Sequence, residues 1–365
     1  MHPDNNIPAN PYQTPPHIVP EYFDCSLMYG NIFMKNPTRC GKTLMTKEIT
    51  SSLTVKRFFL NGQSAREGLD STKNLARTSD GWHMPSLQRL NVGHPDGFVD
   101  WLVGLIDGDG FFYFNKTKKG TWVFSFKITQ SNYNLKLLSY LKKKLHCGSV
   151  KPSGKNSSQY YLRNPKLLHF FCNNILPDNP FFTFKKAWQF LWFKKALDVY
   201  QRAQMKEISV HQRDVLLDEI KLKKSICVLL KKKLSKKESP SIGWLIGFSE
   251  AEGSFYLSLK KENLLVHAIS WAQKDDKQLL ETIRYKLNIQ AKVSEFRKKD
   301  FVCYKLVTHS AKTIEKIIPL FEGKMKGMKG VEVRKWARSF RKYSGNFEAL
   351  FKLRHQLRIA KKHSS

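Results

Sequence analysis

The 365-residue chain predicts an α+β protein built from two pseudo-twofold-related halves, each with an αββαββα-like order. Two observations carry that prediction. The stretch Trp101-Leu102-Val103-Gly104-Leu105-Ile106-Asp107-Gly108-Asp109-Gly110-Phe111-Phe112 recurs as Trp244-Leu245-Ile246-Gly247-Phe248-Ser249-Glu250-Ala251-Glu252-Gly253-Ser254-Phe255. Gln130 lies 21 residues after Asp109, and Gln273 lies 21 residues after Glu252, which fixes the register of an internal duplication.

The elements follow in order. Residues 1–95 read as an N-terminal extension, disordered in part, because Pro3, Pro8, Pro11, Pro15, Pro16 and Pro20 fall among Asn and Gln. Gly41-Lys42-Thr43 ends like a phosphate-binding loop. Asn36 stands where that pattern needs its first glycine, so the segment reads as a surface turn. The first half spans 96–220. Its motif carries apolar residues at helical spacing, with Gly104 and Gly108 on one face, as are Gly247 and Ala251 in the second copy. Small residues at that spacing let two helix backbones approach closely.

Phe111 to Phe114 start a strand, and Thr121 to Thr129 alternate, with Trp122, Phe124, Phe126 and Ile128 facing in and Ser125, Lys127 and Thr129 facing out. Leu135, Leu138, Leu141 and Leu145 mark the next helix. A basic linker, 221–240, dense in lysine around Ile226 to Leu230, leads to the second half at 241–348. There Phe255, Leu257 and Leu259 alternate with Tyr256, Ser258 and Lys260, a strand runs from Leu265 to Gln273, and Leu279, Leu280, Ile283 and Leu287 mark a helix. Residues 349–365 read as a basic C-terminal tail.

With 63 basic against 30 acidic residues, the formal charge is +33, a field that attracts polyanions, nucleic acid above all. The six scattered cysteines form no C-x-x-C and no Cys/His quartet, as expected of free thiols in a reducing compartment. Acids at 96, 100, 107 and 109 break the most apolar window, so no membrane span is expected.

These residues resemble the LAGLIDADG homing endonucleases in their single-chain, two-motif form. The first copy follows the signature closely, with Val103 and Gly108 where the name has alanine; the second departs at Ser249 and in its two glutamates. The resemblance implies curved antiparallel sheets that form a DNA-binding saddle, joined through the two motif helices. It also implies a monomeric, site-specific double-strand DNA endonuclease encoded by an organellar group I intron. It makes Asp109 and Glu252 the metal ligands, with the carbonyls of Gly108 and Ala251 as accessory ligands, and Gln130 and Gln273 as catalytic partners. A lysine near the end of each half organises catalytic water in the family. Lys185 and Lys329, each seven residues before a tryptophan (Trp192, Trp336), are the matching positions.

The chemistry agrees with that assignment. Asp109 and Glu252 end their helices at the negative pole of the helix dipole, where paired carboxylates are costly unless cations settle between them. All-oxygen donors suit Mg²⁺, with Mn²⁺ as an alternative. Asp107 and Glu250 sit about 200° around the helix and take structural roles. Outward residues expected on the DNA are Lys116, Lys118, Lys119, Ser125, Lys127, Lys260, Lys261, Ser270, Arg297 and Lys298. The competing reading is an RNA maturase that assists splicing of its host intron, with or without cleavage. A mitochondrial location is expected, with the chloroplast as the alternative.

Overall fold

The computed structural model describes residues 97–178, 180–227, 239–298 and 301–362. The N-terminal extension, the Gly41-Lys42-Thr43 turn and residues 228–238 of the linker lie outside them. Within them the chain forms α1 (Phe98–Asp109), β1 (Gly110–Lys116), β2 (Trp122–Ser131), α2 (Leu135–Leu145), β3 (Ser149–Pro152), β4 (Ser157–Leu162), α3 (Pro165–Phe170), α4 (Phe184–Gln204) and α5 (Val210–Cys227). The second half follows as α6 (Ile242–Glu252), β5 (Ser254–Lys261), β6 (Leu264–Lys274), α7 (Lys277–Lys286), β7 (Ser294–Lys298), β8 (Phe301–Thr308), α8 (Ala311–Phe321), α9 (Lys329–Tyr343) and α10 (Phe347–Lys362). The two four-stranded sheets have the orders β1-β2-β4-β3 and β5-β6-β8-β7, antiparallel throughout.

Alternation decides which face is which. In β1, Phe112 and Phe114 are buried while Phe111 and Tyr113 are exposed, so the four-aromatic run is amphipathic only through its register. Phe112 stacks on Phe126 of β2 at 4.9 Å between ring centroids and meets Phe193 of α4 at 5.2 Å. The second half repeats this, with Phe255 edge-on to Trp336 of α9 at 5.3 Å. In α2 the buried set is Leu137, Leu138, Leu141 and Leu145; Leu135, one of the four leucines that mark this helix in the sequence, is exposed at the first helical position.

Two expected boundaries move. Residue 220 falls inside α5, which is anchored to the first half by Asp214 accepting from Trp122 Nε1 at 3.1 Å. Residues 349–362 belong to α10, which buries Leu350 and Leu357; Leu350 packs with Leu257 and Leu265 of the second sheet. Lysine and arginine content made this segment read as a tail, whereas its leucines hold it to the second sheet.

Candidate active site

The motif helices α1 and α6 form the seam between the halves. A Cβ on Gly104 would overlap the Trp244 carbonyl, one on Gly247 would overlap the Trp101 carbonyl, and one on Gly108 would overlap the Ala251 side chain. Absence of side chains at these points lets the backbones touch, and the touch brings both C-termini together. The Cβ position of Gly108 lies 3.3 Å from Glu252 Cγ.

Asp109 and Glu252 therefore share one negative pole. Burial pushes the Asp109 carboxyl above its ordinary range, opposed by the Gln130 hydrogen bond and by Lys329 and Lys186. Burial also raises Glu252, helped by the charge of Asp109 and opposed by the same lysines. Gln130 Nε2 donates to Asp109 Oδ2 at 2.6 Å. Among the described residues, neither Gln273 nor Glu252 makes a side-chain hydrogen bond.

By its contacts the first-half counterpart of Lys329 is Lys186, not the expected Lys185. Lys329 Nζ reaches the carbonyls of Gly253 (2.7 Å), Ala251 (3.2 Å) and Ser249 (3.2 Å) at the end of α6. Lys186 Nζ donates to the carbonyl of Gly110, the counterpart of Gly253, while Lys185 is exposed one helical step away. The tryptophan register misled. Trp336 corresponds to Phe193, which places Lys186 at the same 143-residue displacement that relates Asp109 to Glu252 and Gln130 to Gln273. Burial lowers the Lys186 ammonium to about 8, against the pull of Asp107, Asp109 and Glu252.

Asp107 and Glu250 hold the turns that carry these lysines. Asp107 accepts from Phe182 N (2.6 Å), Thr183 N (3.1 Å) and Thr183 Oγ1 (2.5 Å). Thr183 Oγ1 in turn accepts from the backbone N–H of Lys186 at 3.3 Å, capping α4. Glu250 accepts from Lys326 N (3.0 Å) and Gly327 N (2.5 Å), just before Lys329. Each acid also takes an indole N–H from the opposite half: Trp244 Nε1 to Asp107 at 3.2 Å, Trp101 Nε1 to Glu250 at 3.0 Å. Sequence reading missed these two tryptophans as cross-half ligands, although both stand at the same place in the repeat.

The outward sheet faces modify the expected DNA contacts. Lys118 and Lys119 are exposed in the β1–β2 turn, and Lys260 and Lys261 are exposed at the end of β5. Lys127 lies on the outer face between Tyr113 and Tyr161, its Nζ 6.0 and 5.5 Å from their ring centroids. Ser125 and Ser270 also point outward, yet are only 2% and 5% exposed. Short side chains in the middle strands are overtopped by neighbours, Tyr113 opposite Ser125 and Val307 opposite Ser270. Lys116 falls on the helix side and pairs with Asp214 at 3.1 Å. Strand alternation turns Arg297 to the other face of β7, where it pairs with Glu295 at 3.0 Å. The side chain of Lys298 lies outside the described residues. Register adds outward residues that sequence reading did not name: Lys151, Gln159 and Tyr161 in the first sheet, Lys274 and Lys305 in the second.

A family model described as LAGLIDADG endonuclease matches residues 102–197 and again 245–340, one copy per half. The chain belongs to the LAGLIDADG endonuclease family. It is 34% identical over 274 residues to a Schizosaccharomyces pombe protein named as a probable intron-encoded endonuclease, Cox1-I1b, covering 72% of this chain and 69% of that protein. Its fold is similar to that of I-SmaMI bound to an uncleaved DNA target in the presence of calcium ions (TM-score 0.57, 22% identity, 72% of this chain and 97% of that one). It is likewise similar to I-AabMI bound to uncleaved DNA (TM-score 0.54, 19% identity, 70% and 98%).

The LAGLIDADG centre fits a divalent ion by its donor chemistry. Among the described residues no cluster of three or more His, Cys, Asp and Glu side chains is placed to hold a metal. The pole offers instead two carboxylates and helix-terminal carbonyls, a set of hard oxygens that favours Mg²⁺-like ions over zinc. No described helix is long and apolar enough to cross a membrane.

Proposed function

We propose that this LAGLIDADG endonuclease makes a site-specific double-strand break in DNA, using Mg²⁺ (or Mn²⁺), and that it acts as a monomer with one carboxylate for each strand. The observation that carries this reading is the pairing of Asp109 and Glu252 at two abutting helix ends, flanked by Lys186 and Lys329. Asp109, Glu252 and the carbonyls of Gly108 and Ala251 would hold the ion, which when bound activates the attacking water and neutralises charge on the leaving oxygen. Gln130 fixes one carboxylate oxygen of Asp109 and leaves the other available. Lys186 and Lys329 bring positive charge to a pole where phosphate must approach two acids. Lys118, Lys119, Lys127, Lys151, Lys260 and Lys305 would engage the duplex across the two sheets.

The name of the fission-yeast relative supports an intron-encoded origin, which we assign to a group I intron of a mitochondrial gene. RNA maturase activity gains no support from this geometry, because an RNA chaperoning role gives no reason to press two acids together at a helix pole. The test is cleavage of the DNA junction at which its own intron is inserted. Wild type with Mg²⁺ should cut both strands and chelator should stop it. Asp109→Asn combined with Glu252→Gln should bind that DNA as tightly but leave it intact. Wild-type rates in the double variant would overturn the assignment.

A further inference from the structure

Asn134 stands at the boundary between the halves, and nothing in the repeat pattern singles it out. Its Nδ2 donates to Gln130 Oε1 at 2.9 Å, and its Oδ1 accepts from the backbone N–H of Met328 at 2.9 Å. Gln130 Nε2 in turn donates to Asp109 Oδ2 at 2.6 Å. An amide can be placed either way round by geometry alone, but this chain of bonds begins on a group that can only donate. Met328 N–H obliges Asn134 to present its oxygen there, so its NH₂ faces Gln130. Gln130 must then turn its oxygen to Asn134 and its NH₂ to Asp109. The polarity of the glutamine beside the first carboxylate is thus set by the main chain of the opposite half, immediately before Lys329.

Among the described residues the second half shows no such relay. The residue four after Gln273 is Lys277, which offers no acceptor, and the neighbouring Asp276 accepts from Leu279 N at 3.1 Å and Phe184 N at 3.4 Å. Asp276 ties down the turn before Lys186 as Asn134 ties down the turn before Lys329, but an ionised carboxylate has no hydrogen to give Gln273. The loop anchor is kept in both halves; among the described residues a hydrogen bond to the glutamine oxygen is made in one, since Lys277 is exposed and makes none.

Resting on the endonuclease reading above, we infer that Asn134 is a positioning residue that orients Gln130 on Asp109, so that the two strands are cut with different dependence on it. Asn134→Asp separates the two duties. The new carboxylate still accepts from Met328 N–H, keeping the loop anchor, but it repels Gln130 Oε1 and releases the glutamine from its orientation. Asn134→Ala removes both duties.

The experiment follows each strand of a singly end-labelled duplex target in wild type, Asn134→Asp, Asn134→Ala, Gln130→Ala and Gln273→Ala, with thermal unfolding and metal-free DNA affinity measured beside it. Asn134→Asp should slow one strand by about 10–100-fold relative to the other, as expected for loss of a group that orients a metal ligand, with DNA affinity unchanged. That strand should be the one slowed by Gln130→Ala and spared by Gln273→Ala. Asn134→Ala should show the same strand bias with a lower melting temperature. Equal slowing of both strands, or no slowing in a folded Asn134→Asp, overturns the relay.

Wild-type protein that cuts neither strand counts against the endonuclease reading, and the relay is then decided by side-chain amide NMR. The Gln130 NH₂ should be protected from exchange in wild type and unprotected in Asn134→Asp. A Gln130 amide as labile as that of Gln273 in wild type overturns it.

Discussion

The two halves keep the same skeleton and differ in what surrounds it. Glycine contact at the seam, an acid clamping the lysine turn, a tryptophan donated across to that acid and a lysine on helix-end carbonyls all recur 143 residues apart. What diverges is the layer that touches the paired carboxylates, Asp109 and Glu252. Asp109 is held by an oriented glutamine; Glu252, one methylene longer, makes no side-chain hydrogen bond among the described residues. Of these shared features the glycine contact and the tryptophan bond cross the seam, whereas the acid clamp and the lysine close within each half.

The seam gives the largest expected effect and the strictest test of equivalence. Gly104→Ala and Gly247→Ala each put a methyl group onto a carbonyl of the facing helix, which no side-chain rotation relieves. Each should lower stability by about 3 kcal/mol or more, since the helices must separate to admit it. Chemical denaturation should give similar losses for both. A tolerated alanine at either position would mean that the seam is not shared equally.

Next in size is the pair of lysines, where the halves should differ only in which strand is affected. Lys186→Met and Lys329→Met should each reduce cleavage of one strand by roughly 10–100-fold, and the affected strands should be opposite. Lys185→Ala should leave both rates unchanged, because its side chain is exposed and turned from the pole. Single-turnover rates on separately labelled strands check all three. Loss of activity in Lys185→Ala with normal Lys186→Met would restore the assignment made from the tryptophan spacing.

That spacing shows where sequence reading succeeds and fails. The duplicated acids and glutamines were legible because both copies preserve residue type and distance. The lysine was lost by one residue, since Trp192 stands beside the true counterpart Phe193 and aromatic identity outweighed the repeat. Ser125 and Ser270 were placed on the correct face by alternation, but period two says nothing about the height of the neighbours. Arg297 required the register of an edge strand, and Lys116 required knowing that α5 brings Asp214 to the end of β1. Asn134 was beyond reach. Its partners lie 4 and 194 residues away, and a long-range bond to a main-chain N–H leaves no mark on composition or period.

The smallest expected effect lies in the core. His267 is 4% exposed, packed edge-on to Trp336 and Phe340, and its counterpart 143 residues earlier is Phe124. Its Nε2 lies 2.8 Å from Ser339 Oγ, and that hydroxyl donates to the Trp336 carbonyl at 2.8 Å. The serine hydrogen is thereby used, so the neutral imidazole carries its proton on Nε2 and donates it. Burial lowers the ring to about 4 from an ordinary 6.5. A depressed folded-state value means the unfolded chain binds the proton first. Stability is complete above pH 6.5 and falls as pH drops toward 4. Between pH 7 and pH 5 the loss should be on the order of 1–2 kcal/mol. His267→Phe, copying the first half, should flatten the pH dependence of the denaturation midpoint across that window. Ser339 remains satisfied through Trp336, so the variant carries no new unpaired group at pH 7. An unchanged pH slope in a folded His267→Phe would show that the acid sensitivity of the second half resides elsewhere.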